Sequence, residues 1–282
     1  MRRTACRRVP LKGAHPAAWR SQFRGCPGLG RAGFLRCGRL TLRDFWDTHR
    51  VPTDVSTACS VDWAGESLEL LPERALWWPA RRTLFIADLH IGKAATYRAL
   101  GQPVPGGTTQ ENLDRLDALI ARHAPRTLVC LGDFLHAAQA RTPQVLAALQ
   151  AWRATHNALA MTLVRGNHDS RAGDPPTELG IEVVDEPHLL GPFACCHHPQ
   201  THPTHFVLAG HLHPVCSLQG RGRDRLRLPC FVQEGGQAIL PAFGEFTGGW
   251  QVPAGPGRRF YGVGGDAVWA LPEAAYAGSG GR

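Results

Sequence analysis

Four short apolar runs in this sequence are each followed by side chains that can bind a metal ion. Their length and their content of Leu, Ile, Val and Phe are typical of buried strands. The runs are 84–87 before Asp88-Leu89-His90, 128–131 before Gly132-Asp133, 161–164 before Arg165-Gly166-Asn167-His168-Asp169, and 206–209 before Gly210-His211-Leu212-His213. A weaker fifth run, 193–196, precedes His197-His198. Because ligand sites in α/β sheets form beyond the carboxyl ends of strands, the pattern predicts a site there.

Segments whose apolar residues recur at helical intervals lie between the first runs. Thr108 and Glu111 have the spacing of a capping box and precede leucines at helical intervals, and a second apolar face follows Thr142-Pro143. Strands and helices therefore alternate over 83–170, which predicts an α/β fold. We expect two short strands around a turn between Leu68 and Trp78, and further strands over 225–270.

The positive charge is confined to the N-terminal part of the chain. The 282 residues carry a net charge of +8, but residues 1–50 alone carry +10 and the rest −2. We do not expect residues 1–55 to pack: a disordered basic tail, an organelle transit peptide and a start codon placed too early all remain open. The folded domain is predicted at 56–272, with a disordered tail at 273–282.

The remaining composition favours a soluble protein. No apolar stretch approaches the 18 residues of a membrane span. Nine cysteines include no C-x-x-C pair, so neither a disulfide framework nor a zinc knuckle is indicated. We therefore expect a cytoplasmic protein.

The donors at the strand ends are too many for a single tetrahedral ion. Imidazole, carboxylate and amide groups without a thiolate suit Mn²⁺, Fe²⁺ or Zn²⁺. Two ions that share one carboxylate would each have four protein ligands and could hold a bridging hydroxide against a phosphoryl group. The candidate donors are Asp88, His90, Asp133, Asn167, His197, His211 and His213.

The order D-x-H, G-D-x-x-H, G-N-H-D, H and G-H-x-H resembles the calcineurin-like metallophosphoesterases. The resemblance implies a four-layer αββα sandwich with two metal ions at the strand ends. It implies a first metal held by Asp88, His90, Asp133 and His213, and a second held by Asp133, Asn167, His197 and His211. It further implies that His168 stabilises or protonates the leaving oxygen and that Asp169 orients His168. His198 is the alternative to His197.

A narrower resemblance, over about residues 60–270, is to the ligase-associated DNA damage response endonucleases, the PdeM subgroup. The stretches that carry it are 71–76, 87–94, 101–105, 210–214 and 240–249. The resemblance implies a manganese-dependent phosphodiesterase that cleaves single-stranded or damaged DNA in DNA repair, associated with an ATP-dependent DNA ligase and a helicase. Because the near-neutral core lacks a broad basic footprint, a small-nucleotide phosphodiesterase or a phosphomonoesterase is an alternative. A non-catalytic scaffold is a further alternative, since some proteins that resemble this family use the fold for protein binding.

Overall fold

The computed structural model describes residues 57–102, 104, 107–219, 225–245 and 247–272. The predicted N-terminal extension (1–55) and C-terminal tail (273–282) lie outside these residues. Among the helices of the described residues, none has the length and hydropathy needed to cross a bilayer.

The first sheet has seven strands in chain order. They are β1 (Cys59–Trp63), β2 (Glu66–Leu71), β3 (Ala75–Trp78), β4 (Thr83–Ala87), β5 (Thr127–Leu131), β6 (Ala160–Val164) and β7 (Ile181–Val184). The pairs from β1 to β4 are antiparallel and those from β4 to β7 are parallel. The carboxyl ends of β4, β5 and β6 therefore meet at one edge, as the sequence predicts.

Helices pack on the outer face of this sheet. They are α1 (Lys93–Ala99), α2 (Thr108–His123), α3 (Pro143–Thr155) and the one-turn α4 (Asp169–Ala172). Leu116 of α2 and Leu149 of α3 are buried against Leu84 and Leu128 of the sheet. Burial of such side chains contributes about 1.5–3 kcal/mol each.

The predicted capping box of α2 is wrong. Thr108 is the first helical residue, and the capping position is held by Gly107 with φ 95° and no side-chain cap. At α3 the Thr142 hydroxyl accepts a hydrogen bond from the Val145 amide at 3.3 Å, and Pro143 begins the helix.

The second sheet is built by the rest of the chain. Its path runs β14-β11-β12-β13-β10-β9-β8, and β12 also pairs with β15, which pairs with β16. The strands are β8 (His188–Leu190), β9 (Phe193–Cys195), β10 (Phe206–Ala209), β11 (Pro214–Gln219), β12 (Arg225–Glu234), β13 (Gln237–Ile239), β14 (Trp250–Gln251), β15 (Arg258–Gly264) and β16 (Ala267–Ala270). Strands are thus confirmed over 225–270.

The two sheets pack face to face. Phe85 and Val129 of the first sheet share one buried cluster with Phe193 and Phe231 of the second. The predicted α/β class with two packed sheets is confirmed. In this arrangement the ends of β4, β5 and β6 lie beside the ends of β9 and β10, which carry the remaining candidate donors.

Candidate metal centre

All seven donors singled out in the sequence converge at the strand ends. Asp88 and His90 follow β4, Asp133 follows β5, Asn167 follows β6, His197 follows β9, and His211 and His213 follow β10. Ligand atoms of Asp88, His90 and His213 lie within 4.8 Å of one another, as do those of Asp88, Asp133 and His197. These clusters can each hold a metal ion.

Five donors have an unusual backbone. The φ angles are 54° at Asp88, 47° at His90, 50° at Asp133, 69° at His211 and 47° at His213. Residues with a Cβ rarely adopt this conformation, which costs about 1–3 kcal/mol each and persists only where the surroundings enforce it. Five of the nine non-glycine residues with positive φ in the described part of the chain are donors, and this concentration of backbone strain indicates a functional site.

The first cluster lies between Asp88 and His90. The Nε2 atoms of His90 and His213 face each other at 3.2 Å, and His213 Nε2 lies 3.5 Å from Asp88 Oδ1. Asp88 Oδ1 is buried and has no hydrogen-bond partner, while Asp88 Oδ2 accepts from the His211 amide at 2.9 Å. A buried carboxylate oxygen without a partner is costly. A cation between these groups would satisfy the oxygen and both rings, so the residues fit a metal.

The second cluster lies between Asp133 and His211. His197 Nε2 is 2.9 Å from Asn167 Oδ1, 3.0 Å from His211 Nδ1 and 3.5 Å from Asp133 Oδ1. Asp133 also approaches the first cluster, because its Oδ2 lies 3.7 Å from His90 Nε2. Asp133 is therefore placed to contribute to both clusters.

Backbone carbonyls orient two of the imidazoles. His197 Nδ1 lies 3.2 Å from the Leu131 carbonyl oxygen, and His213 Nδ1 lies 3.1 Å from that of Gly248. A carbonyl only accepts, so each Nδ1 donates and each Nε2 points to the donor cluster. Carbonyl contacts of this kind are usual for metal-binding histidines.

Burial controls the charge of these rings. Burial, together with the nearby His213 and Lys93, lowers the pKa of His90 far below its usual range. Burial also lowers the pKa of His211, with further lowering by His197 and His198. At His213 burial acts in the same direction, but the nearby negative charge of Asp88 outweighs it and raises the pKa. A proton on His213 thus competes with a cation for the same carboxylate.

The His197-His198 doublet divides into two environments. His197 is fully buried and faces the other donors, whereas His198 Nδ1 lies 2.7 Å from Glu186 Oε1. Glu186 Oε2 accepts from the amides of both histidines, at 2.6 and 2.9 Å. The geometry favours His197 as the donor. Glu186, which the sequence analysis did not identify, fixes the conformation of the loop that carries both histidines.

Asp169 occupies a different place from the one expected. Its carboxylate is buried and accepts from the amides of Phe134, Leu135 and Gly166 at 2.9–3.1 Å. Burial raises the pKa of Asp169 to about 6 despite these hydrogen bonds. Asp169 therefore ties the loop after β5 to the loop after β6. His168 is instead oriented by the carbonyl of His136, which lies 2.6 Å from its Nδ1.

His168 lies at the edge of the donor cluster. Its side chain is 32% exposed, with Nε2 3.9 Å from Asp133 Oδ2. The His136 ring stacks on it with centroids 5.0 Å apart, and burial followed by the charge of Lys93 lowers the pKa of His136 to about 4. His168 is thus fixed in orientation while one ring nitrogen remains open to a ligand.

Residues 242–245 and 248–249 support the loops after β4 and β10. The amides of Phe243 and Gly244 donate to the carbonyls of Ala87 and Asp88, at 2.7 and 3.1 Å. Glu245 holds this segment in place through ion pairs with Arg74 and Arg115. These contacts tie residues distant in the sequence to the loop that carries the D-x-H motif.

Gly132 leaves no room for a side chain beside Asp133. Its φ is 80°, and a Cβ there would collide with the His197 ring. We expect Gly132→Ala to lower the free energy of unfolding by about 1–3 kcal/mol and Mn²⁺ affinity about tenfold. Gly65 is a matched control, because its φ is 78° with no atom near a Cβ. Thermal unfolding and calorimetric titration with Mn²⁺ check this; equal losses in both variants would contradict it.

Comparisons with known proteins found one matching family model and similar solved structures. A family model for calcineurin-like phosphoesterases matches residues 81–226, which include every donor. The structure is similar to that of nuclease MPE from Pseudomonas putida, with 52% sequence identity and a TM-score of 0.68 over 76% of this chain and 100% of that one. Yfce, a phosphoesterase from E. coli, is 18% identical with a TM-score of 0.30 over 64% of this chain and 86% of that one. A comparison with curated proteins gave no match.

The chain belongs to the calcineurin-like phosphoesterase family. It is a metal-dependent phosphoesterase hydrolase, which confirms the predicted enzyme class. The alternative of a non-catalytic scaffold is therefore set aside.

Proposed function

We propose that this protein is a binuclear metal-dependent phosphodiesterase that cleaves DNA. The observation that carries the proposal is the pair of adjoining donor clusters, with Asp133 reaching both and Asp88 Oδ1 buried without a partner. The first ion would be held by Asp88, His90, Asp133 and His213, and the second by Asp133, Asn167, His197 and His211. Two clusters that share a carboxylate suit in-line displacement at phosphorus.

Manganese is the metal we propose, with Fe²⁺ or Zn²⁺ as substitutes, because the donors are imidazole, carboxylate and amide groups. When bound, the two ions would supply Lewis acidity towards the phosphoryl oxygens and an activated water molecule. The buried Asp88 and Asp133 carboxylates reduce the positive charge of such a centre, so a phosphate anion remains attracted without being held too tightly.

His168 would act on the leaving group. Its Nδ1 donates to the His136 carbonyl, so the proton to be transferred is the second one, carried on Nε2 by the doubly protonated ring beside Asp133. Transfer of that proton to the departing oxygen would prevent an unfavourable alkoxide from forming. Asp169 serves as a positioning residue, since it fixes the loops that carry Asp133 and His168.

DNA as the substrate is supported by the similarity to a nuclease that shares 52% of its sequence. With this substrate we propose a cytoplasmic role in DNA repair, in association with an ATP-dependent DNA ligase and a helicase. The second candidate is a small-nucleotide phosphodiesterase, which the net charge of −2 beyond residue 50 favours.

A substrate panel under controlled metal loading tests the proposal. Protein stripped with a chelator and reloaded with Mn²⁺, Fe²⁺ or Zn²⁺ is assayed on single-stranded DNA, nicked duplex DNA, a dinucleotide, a cyclic nucleotide and a phosphomonoester. We expect Mn²⁺-dependent cleavage inside the single strand. Hydrolysis of the small substrates with intact DNA would establish the second candidate, and equal activity without metal would overturn both.

A further inference from the structure

The first half of β12 presents an exposed basic face. Arg225 and Arg227 are exposed and alternate with Leu226 and Leu228, which are partly buried. Leu228 packs on a cluster with Cys216 and Leu218 of the neighbouring strand β11. Because side chains alternate between the two faces of a strand, both arginines project from the opposite face.

The two arginines form no ion pair within the part of the chain that the structure describes. Within the described residues, no carboxylate lies in salt-bridge range of either, whereas Arg74, Arg165 and Arg258 are paired with acids. Residues 219–229 hold four arginines and one aspartate, in a chain whose net charge beyond residue 50 is −2. Residues 219–229 are therefore a local concentration of positive charge in the part of the chain beyond residue 50.

Arg227 reaches the segment that supports the metal centre. Its guanidinium donates to the Gly249 carbonyl, and the preceding Gly248 carbonyl accepts from His213 Nδ1 at 3.1 Å. The amide of Trp250 donates to the His213 carbonyl at 3.0 Å. Arg227 therefore lies next to the segment that contacts His213, and it borders the metal centre on the His213 side.

We propose that Arg225 and Arg227 bind consecutive backbone phosphates of a single-stranded polynucleotide on the His213 side of the cleaved bond. Alternate residues of a strand lie about 6.6 Å apart, comparable with the spacing of neighbouring phosphates in an extended nucleic acid strand. A small diester has one phosphate and cannot use both arginines. This inference rests on the proposed function and deepens it, because it makes the substrate a polymer.

The test compares Arg225→Ala/Arg227→Ala with Arg81→Ala/Arg126→Ala. The control removes the same charge from exposed residues that precede β4 and β5, at the ends of those strands opposite the metal centre. Binding of fluorescent single-stranded DNA to chelator-treated protein is measured by anisotropy over a range of salt concentrations. With Mn²⁺, KM and kcat are measured on the same DNA and on bis-p-nitrophenyl phosphate.

Loss of two phosphate contacts should weaken DNA binding about tenfold and reduce the slope of log affinity against log salt by about 1.4. The rise in KM should be confined to DNA and should greatly exceed any change with the small diester. Arg225→Lys/Arg227→Lys should restore most of the binding, because lysine retains the charge. The control should match the wild type.

An unchanged salt slope, equal weakening in the control, or equal losses on DNA and on the small diester would overturn the inference. The binding measurement needs neither metal nor turnover. If the wild type binds DNA through these arginines but does not cleave it, the proposed function is wrong, and the inference that Arg225 and Arg227 bind phosphates is retained. If it cleaves DNA and the arginine variants bind normally, only the inference fails.

Discussion

Asp133→Asn is expected to reduce phosphodiester hydrolysis by about 10³-fold or more, because this carboxylate reaches both donor clusters. Asparagine retains an oxygen that can accept from the His168 amide, which lies 2.9 Å from Asp133 Oδ1. The backbone of the site should therefore persist while the negative charge is lost. Hydrolysis of bis-p-nitrophenyl phosphate in Mn²⁺ and metal content by elemental analysis measure the effect.

Asp114→Asn is the matched control for this change. Asp114 is exposed on α2 and accepts a hydrogen bond from Gln110, so its replacement should leave metal content and rate unaltered. Addition of Mn²⁺ should raise the melting temperature of the wild type and the control, and much less that of Asp133→Asn. Wild-type metal content together with a rate within tenfold of wild type in Asp133→Asn would contradict the role of Asp133.

His168→Ala is expected to lower kcat by about 10²–10⁴-fold on DNA while both metals remain bound. The reason is that His168 lies beside the donor clusters and its Nδ1 is already held by the His136 carbonyl. A nitrophenolate leaves readily without a proton, whereas the alkoxide of a sugar does not. The loss should therefore be much smaller with bis-p-nitrophenyl phosphate than with DNA.

His188→Ala serves as the comparison, since His188 lies on the edge strand β8 and belongs to neither donor cluster. It should leave both substrates unaffected. If His168→Ala lost metal, or lost the same factor on both substrates, His168 would have a structural or metal-binding role and the assignment of proton transfer would be wrong.

The convergence of the donors was predictable because parallel strands end at a common edge. The runs before Asp88, Asp133 and Asn167 are β4, β5 and β6, which pair side by side in register. Nothing more than apolar runs and the polar residues after them was needed to predict that these three side chains meet. The same reasoning placed His211 and His213 after β10.

Contacts between distant loops were beyond the sequence pattern. Asp169 adjoins His168 in the chain, so it was expected to orient that ring, but its carboxylate lies against amides more than 30 residues away. Glu186 and Gly248 hold the donors through the amide of His197 and the ring of His213, and neither has a motif of its own. These contacts depend on the conformations of loops that are distant in the sequence, and the periodicity of apolar residues gives no information about loop conformation.

The donors come from both layers of the sandwich: Asp88, His90, Asp133 and Asn167 from the sheet of β4–β6, and His197, His211 and His213 from the sheet of β9 and β10. Bound cations would therefore link the two sheets. Any sliding of one layer over the other would pull the two halves of the coordination sphere apart. The packing of Phe85 against Phe193 and Phe231 would thereby set the distance between the donors of one sheet and those of the other, although these phenylalanines are remote from any reacting atom.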